Sequence, residues 1–167
     1  MQSLANTSIN TTAGVLELHD EFRVIAAPNH PKAQKLYAFW QEHAEHGIVI
    51  GRDVPSRPIA DLLSSISIYE PVNDGTDLRV WLAGTSMRRR FGNDITGKLM
   101  SELYTPDDFR AHLEDARLSL EAGRPTFIDS RLSIGAVEQM HLEVVVLPVL
   151  APDGISRWVL AGVFYFG

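Results

Sequence analysis

Apolar residues recur along the chain with two different periods, and the switches between them mark its elements. After His30-Pro31, residues Ala33, Leu36, Tyr37, Trp40 and Ala44 fall at helical spacing until Gly47. This predicts a helix over residues 31–46 with a narrow aromatic stripe that must pack on something. Residues 51–58 hold two prolines and two arginines and read as an extended connector, followed by a short helix at 59–63. From Ser65 the period drops to two: Ile66, Ile68 and Val72, the turn Asn73-Asp74-Gly75, then Leu78, Val80 and Leu82 predict a hairpin. Between Gly84 and Gly123 the pattern is helical but broken, with short pieces near 86–91 and 96–104 separated by Gly92-Asn93-Asp94. A longer helix follows: Thr105 caps it, Pro106 takes its first position, Asp108 completes a capping-box arrangement, and Gly123-Arg124-Pro125 stops it. Its stripe is Phe109, Leu113, Ala116 and Leu120. Three strands close the chain at 126–134, 137–150 and 157–166, the last two joined by Ala151-Pro152-Asp153-Gly154.

Runs of strands divided by one helical block, with no internal repeat, predict an α+β layer fold: an antiparallel sheet, helices gathered on one face, and a space between them. Along 137–150, Met140, Leu142 and Val144 alternate with His141 and Glu143, which predicts one dry face and one wet face. Residues 1–14 are polar, without a basic start or an apolar core, so 1–29 is expected to be a flexible tail. Residues 30–63 then form an amino-terminal helical extension and 64–167 the main domain. At 167 residues there is room for one core, and 45% apolar with 22% charged residues is a globular composition. The absence of Cys removes disulfides, thiolate zinc sites, Cys nucleophiles and iron–sulfur clusters, and fits a cytoplasmic setting. A net charge of -6 argues against nucleic acid and anionic lipid as partners. The longest apolar run, residues 144–151, is broken by Pro148 and falls far short of the roughly 20 residues that cross a bilayer.

Particular residues resemble the PAS sensor-domain family. Leu82-Ala83-Gly84-Thr85 followed by Arg90-Phe91-Gly92-Asn93-Asp94-Ile95-Thr96-Gly97-Lys98 is similar to the strand-to-helix passage and the Gly-x-Asp-x-x-Gly step of that family. Thr105-Pro106-Asp107-Asp108 resembles the start of its long helix, and Glu121-Ala122-Gly123-Arg124-Pro125 the end. The likeness covers about residues 64–167, and the region upstream resembles the extension of a divergent bacterial single-domain branch. It implies a PAS-like five-stranded antiparallel sheet with helices on one face and an amino-terminal flanking helix. Turn chemistry suits these positions independently: Gly92 and Gly97 permit sharp reversals, and Asp94 and Thr96 can make local capping bonds.

The resemblance implies a stand-alone regulatory or sensory module that binds a small molecule, a signalling protein such as a kinase, or both, with output in trans. Cavity candidates are Met87, Phe91, Met100, Tyr104, Phe109, His112, Leu132 and Met140, residues that serve equally as plain core. Leu36, Phe39 and Trp40 are the candidate surface for a homodimer or partner. A flavin–cysteine photo-adduct is excluded because no Cys exists. Haem ligated by His112, at the edge of the long helix's stripe, is an alternative, as is a half-exposed surface histidine. Arg131 reads as the partner of an acid on the sheet, with a bond to a bound diatomic or carboxylate as the alternative. His43 and His46, with Glu42 and Glu45 nearby, have helical spacing for a divalent ion but lack further ligands, so they read as solvated helix polarity. Arg88-Arg89-Arg90 reads as a solvated face or a dock for an acidic partner. His112, Asp129, His141 and Glu143 would be the acids and bases of a small lyase or isomerase of the cone-shaped NTF2-like class. The division of strands as two plus three favours the regulatory reading over that class, and a ligand-free interaction scaffold is the other alternative.

Overall fold

The computed structural model describes the backbone of residues 2–11, 14–134 and 137–167, and the side chains of residues 21–133, 137 and 140–167. Seven strands among the described residues are β1 (Gln2–Thr11), β2 (Gly14–Ile25), β3 (Ile66–Val72), β4 (Asp77–Ala83), β5 (Thr126–Ile134), β6 (Val137–Leu150) and β7 (Arg157–Tyr165). They form one antiparallel sheet in the order β1-β2-β5-β6-β7-β3-β4. The five predicted strands join because β3 pairs with β7, from Ile66 opposite Gly162 to Tyr69 opposite Val159. The amino-terminal segment is not left as a tail: β1 and β2 form a hairpin that adds to β5, with Leu18 opposite Ile134 and Ile25 opposite Phe127. The signal is the period-two run Leu16, Leu18, Phe22 and Val24, interrupted by Asp20.

Helix α1 (Pro31–Glu42) ends four residues earlier than its pattern suggests. His43 is its C-cap, and Gly47 takes the left-handed conformation at φ 79°. A 3-10 helix spans Arg57–Ser65, with helices α2 (Thr85–Phe91), α3 (Met100–Leu103) and α4 (Pro106–Ala122) in the block between β4 and β5. α3 is shorter than expected because residues 97–99 run along β4 instead. Gly97 N donates to Val80 O at 2.7 Å, and Val80 N donates to Lys98 O at 2.9 Å. α4 follows its sequence signals: Thr105 Oγ1 accepts from Asp108 N, and Gly123 closes the helix in the left-handed conformation. Among the described residues no helix is long and apolar enough to cross a membrane.

Along Glu143–Val149 of β6 the sheet is covered on both faces, which corrects the expectation of a wet side there. Val145, Leu147 and Val149 of β6 pack with Leu36 and Phe39 of α1 and with Ile48, Ile50 and Leu62. Val146 of β6, with Ile128 and Val159, packs instead with Met87, Met100 and Ala116 of the helical block. Each fully buried side chain of this size stabilises by about 1.5–3 kcal/mol relative to exposure. Leu36 is 0% exposed and Phe39 6% exposed within the chain's own core, so neither is free to form an interface between molecules. Trp40 is also committed, its Nε1 donating to Pro148 O at 2.8 Å. The dimer surface assigned to these three residues is therefore corrected to an internal seam between α1 and the sheet.

Glu143 is likewise not solvent-facing but 0% exposed. Its carboxylate accepts from Asn29 N at 2.8 and 3.0 Å and from His30 N at 3.0 Å, holding the start of α1 against β6. A carboxylate at a helix amino terminus meets unpaired backbone donors and the positive end of the helix dipole. His30 adds a bond from Nε2 to Tyr165 O and caps α1 by accepting Lys32 N on Nδ1.

Close approach rather than turn geometry explains two glycines. A Cβ on Gly84 would lie 2.4 Å from Ser64 O, and one on Gly162 would lie 2.7 Å from Leu36 Cδ2, where α1 presses on the sheet. Gly84→Ala and Gly162→Ala are each expected to destabilise by about 1–3 kcal/mol in denaturant titration, with Gly84→Ala the worse because its obstacle is backbone. Glu143→Gln is expected to cost about 2 kcal/mol, since its amide would turn a donor toward donors. A Glu143→Gln variant as stable as the parent would show that the carboxylate does not anchor α1.

Candidate functional site

The helical block does not fill the space over its face of the sheet. A cavity of about 750 Å³ lies between α2, α3 and α4 above and the sheet below. Side chains alternate along a strand, so the residues of β6 that face away from α1, Leu142, Val144 and Val146, form part of the floor. Leu78, Ile128, Val159, Ala161 and Val163 extend it across the neighbouring strands. The roof is made of short pieces. α2 ends at Gly92 with φ 76°, and Asp94 Oδ1 then accepts from Thr96 N at 3.0 Å and Thr96 Oγ1 at 2.8 Å. Asp77 accepts from Ser101 N and Oγ, fixing α3 to β4. Ser119 Oγ donates to Arg124 O at 2.8 Å and lies 3.3 Å from Val146 O, fixing the end of α4 to β6.

Of the predicted cavity residues, Met87, Met100, Tyr104, His112, Leu132 and Met140 line the cavity. Phe91 and Phe109 do not; both pack against the core on that side. Phe91 meets the Tyr104 ring edge-on at 5.6 Å and lies under Arg90. Sequence reasoning missed Arg89, Arg90, Asp108 and Asp115, all of which border the cavity. Asp108, His112 and Asp115 stand at i, i+4 and i+7 of α4, a polar row beside the apolar stripe, and that spacing was the available signal. Arg88, Arg89 and Arg90 are all exposed, as a solvated face or a dock for an acidic partner expects, and Arg89 and Arg90 also border the cavity.

Burial acts on two titratable groups here in opposite senses. His112, its ring 4.4 Å from that of Tyr104, is pushed down to about 4 by burial and by the Arg90 charge, against a smaller opposing effect of Asp108. The imidazole is therefore neutral near pH 7. Asp115 is pushed up to about 6 by burial and by Glu114.

The remaining candidate acids and bases lie on the opposite face. His141 Nε2 donates to Asp129 Oδ1 at 2.6 Å, and its ring stacks on Phe166 at 4.2 Å. Arg131 Nε bonds Asp129 Oδ2 at 3.2 Å, the pairing expected from the sequence. Burial disfavours the Asp129 charge, but bonds from His141 and Arg131 outweigh it and hold the carboxyl below its ordinary range. His43 is past the end of α1, its Nδ1 donating to Phe39 O at 2.8 Å, so His43 and His46 do not share a helix. Among the described residues no group of three or more His, Asp or Glu is placed to hold a metal ion.

Residues 28–163 match the family described as PAS domain. No curated protein and no solved structure matches the chain.

The two shifted groups make separable contributions to stability. Asp115 has a folded pKa above its ordinary 3.8, so its contribution is full at low pH and is lost as pH rises through about 6. Asp115→Asn is expected to stabilise by about 1–2 kcal/mol at pH 7.5, allowing for partial solvation, and by much less at pH 4. His112 has a folded pKa below its ordinary 6.5, so its contribution is full above pH 6.5 and is lost as pH falls through about 4. His112→Gln is expected to flatten the fall in stability over that window. Denaturant titrations at pH 7.5, 5.5 and 4 check both, and an Asp115→Asn gain that does not grow with pH contradicts the first.

Proposed function

The chain belongs to the PAS domain family, and from that premise we propose that it is a sensory or regulatory module whose input is a small molecule bound between the sheet and α2–α4. The observation that carries this reading is the cavity of about 750 Å³, inside the roughly 300–1,000 Å³ range of small-molecule sites and lined mainly by apolar side chains, with its charged groups on α2 and α4. A filled scaffold core would be packed to crystal-like density, with few voids larger than a water molecule. The reading assigns the chain no catalytic step. His141 and Asp129 bond each other on the far face, and Glu143 is occupied by the backbone donors of Asn29 and His30. A signalling protein that reads the bound state is the proposed partner, and α1 packs on the opposite face of β6, the strand that forms part of the cavity floor.

Native mass spectrometry of the purified full chain, followed by denaturing extraction, tests the reading. The expected result is a chain carrying an added mass that denaturation releases. A Soret band lost in His112→Ala would identify that molecule as haem. A chain with no added mass, before and after incubation with an extract of small metabolites, contradicts the reading in favour of a ligand-free scaffold.

A further inference from the structure

We infer that the cavity takes an amphipathic organic anion, an apolar body carrying one carboxylate, with the carboxylate seated between Arg90 and the Tyr104–His112 pair. This rests on the reading of the cavity as a ligand site and adds the class of ligand. The floor sets the body: Leu78, Ile128, Leu142, Val144 and Val159 give the sheet side no charged group, so a polar or charged body would lose hydration without compensation.

The head is set by polar groups that lack partners. Arg89 and Arg90 of α2, Tyr104, and Asp108, His112 and Asp115 of α4 all border the cavity. None of these side chains has a hydrogen-bond or ion-pair partner among the described residues; Arg90 lies over Phe91, and Tyr104 and His112 touch through their rings. Arg89 and Arg90 are exposed and Tyr104, Asp108, His112 and Asp115 half-buried, so each keeps bonding capacity that a ligand's polar end can use.

Charge decides its sign. Two guanidiniums are permanently charged and present forks that match a carboxylate. The Arg90 field reaches both aromatic neighbours, lowering the pKa of His112 and opposing the rise caused by burial at Tyr104. Asp108 and Asp115 flank His112 along α4; Asp108, half-buried, acts on His112 and Tyr104 less than Arg90 does, and Asp115, beside Glu114, is pushed up to about 6. Arg23 of β2 borders the adjoining hollow, and Tyr165 of β7 offers only a hydroxyl. An entering carboxylate would therefore favour the protonated form of Asp115, so binding takes up a proton and strengthens as pH falls toward 6.

Octanoate, 1-octanol and octylamine share one chain and differ in head charge, and calorimetry of each against the full protein at pH 8 and pH 6 tests the inference. Octanoate is expected to bind at least about tenfold tighter than the other two, as a charge-assisted bond predicts. Arg90→Gln, at an exposed position, is expected to weaken octanoate about tenfold and leave 1-octanol unchanged. Octanoate is expected to tighten from pH 8 to pH 6, and Asp115→Asn to bind it tightly at both. Octylamine or 1-octanol binding as well as octanoate overturns the anionic class while leaving the cavity reading intact. Binding of none of the three overturns the inference, and the mass measurement then decides the cavity reading separately.

Discussion

The alternation of side chains along β6 is the constraint on which the rest depends. Odd-numbered residues from Glu143 to Val149 meet α1 and the segments around it, while Leu142, Val144 and Val146 meet the cavity. One strand thus serves two unlike surfaces, and a register slip of one residue would exchange them. The α1 face is closely packed, with Leu36 touching the sheet where only a glycine, Gly162, leaves room. The other face is roofed by helices of seven, four and seventeen residues, too broken to present a continuous stripe, and a space remains beneath them. Density on one side and incompleteness on the other are both consequences of the same sequence pattern.

The two faces also divide the polar chemistry. On the α1 side Glu143 is matched with backbone amides and Asp129 with His141 and Arg131. On the cavity side Asp108, Asp115, His112, Arg89 and Arg90 stand around an opening without partners among the described residues. Glu143 and Asp129 are occupied by protein bonds, whereas the groups around the cavity keep bonding capacity free, a contrast that residue type alone does not show. His141 and His112 are equally plausible as chemistry when seen only as letters. Glu143 sits between Leu142 and Val144, so the strand that forms part of the cavity floor also holds the start of α1.

Much of this was legible beforehand because it is written locally. Thr105-Pro106 and Gly123 bracket α4, Asn73-Asp74-Gly75 turns the β3–β4 hairpin, and the period-two runs locate five strands. Six of the eight cavity candidates line the space because period and stripe indicate a face. Whatever depended on pairing between distant segments was not legible. The β1–β2 hairpin adds to β5, a strand distant in sequence, and Asp20 breaks its pattern. The burial of Glu143 is invisible without knowing that Asn29 and His30 arrive above it. Leu36 and Phe39 were correctly seen to need a partner surface, but composition does not say whether that surface lies in the same chain.

The absence of native cysteine allows a direct test of the two-faced strand. Single cysteines at Leu142, Val144, Val145 and Leu147, exposed to a small methanethiosulfonate reagent in the folded protein, report which side of β6 opens onto accessible space. The account predicts fast modification at positions 142 and 144, and protection at 145 and 147, whose side chains are 0% exposed. Equal protection at all four, or the reverse pattern, would contradict a cavity on this face and with it the sensory reading.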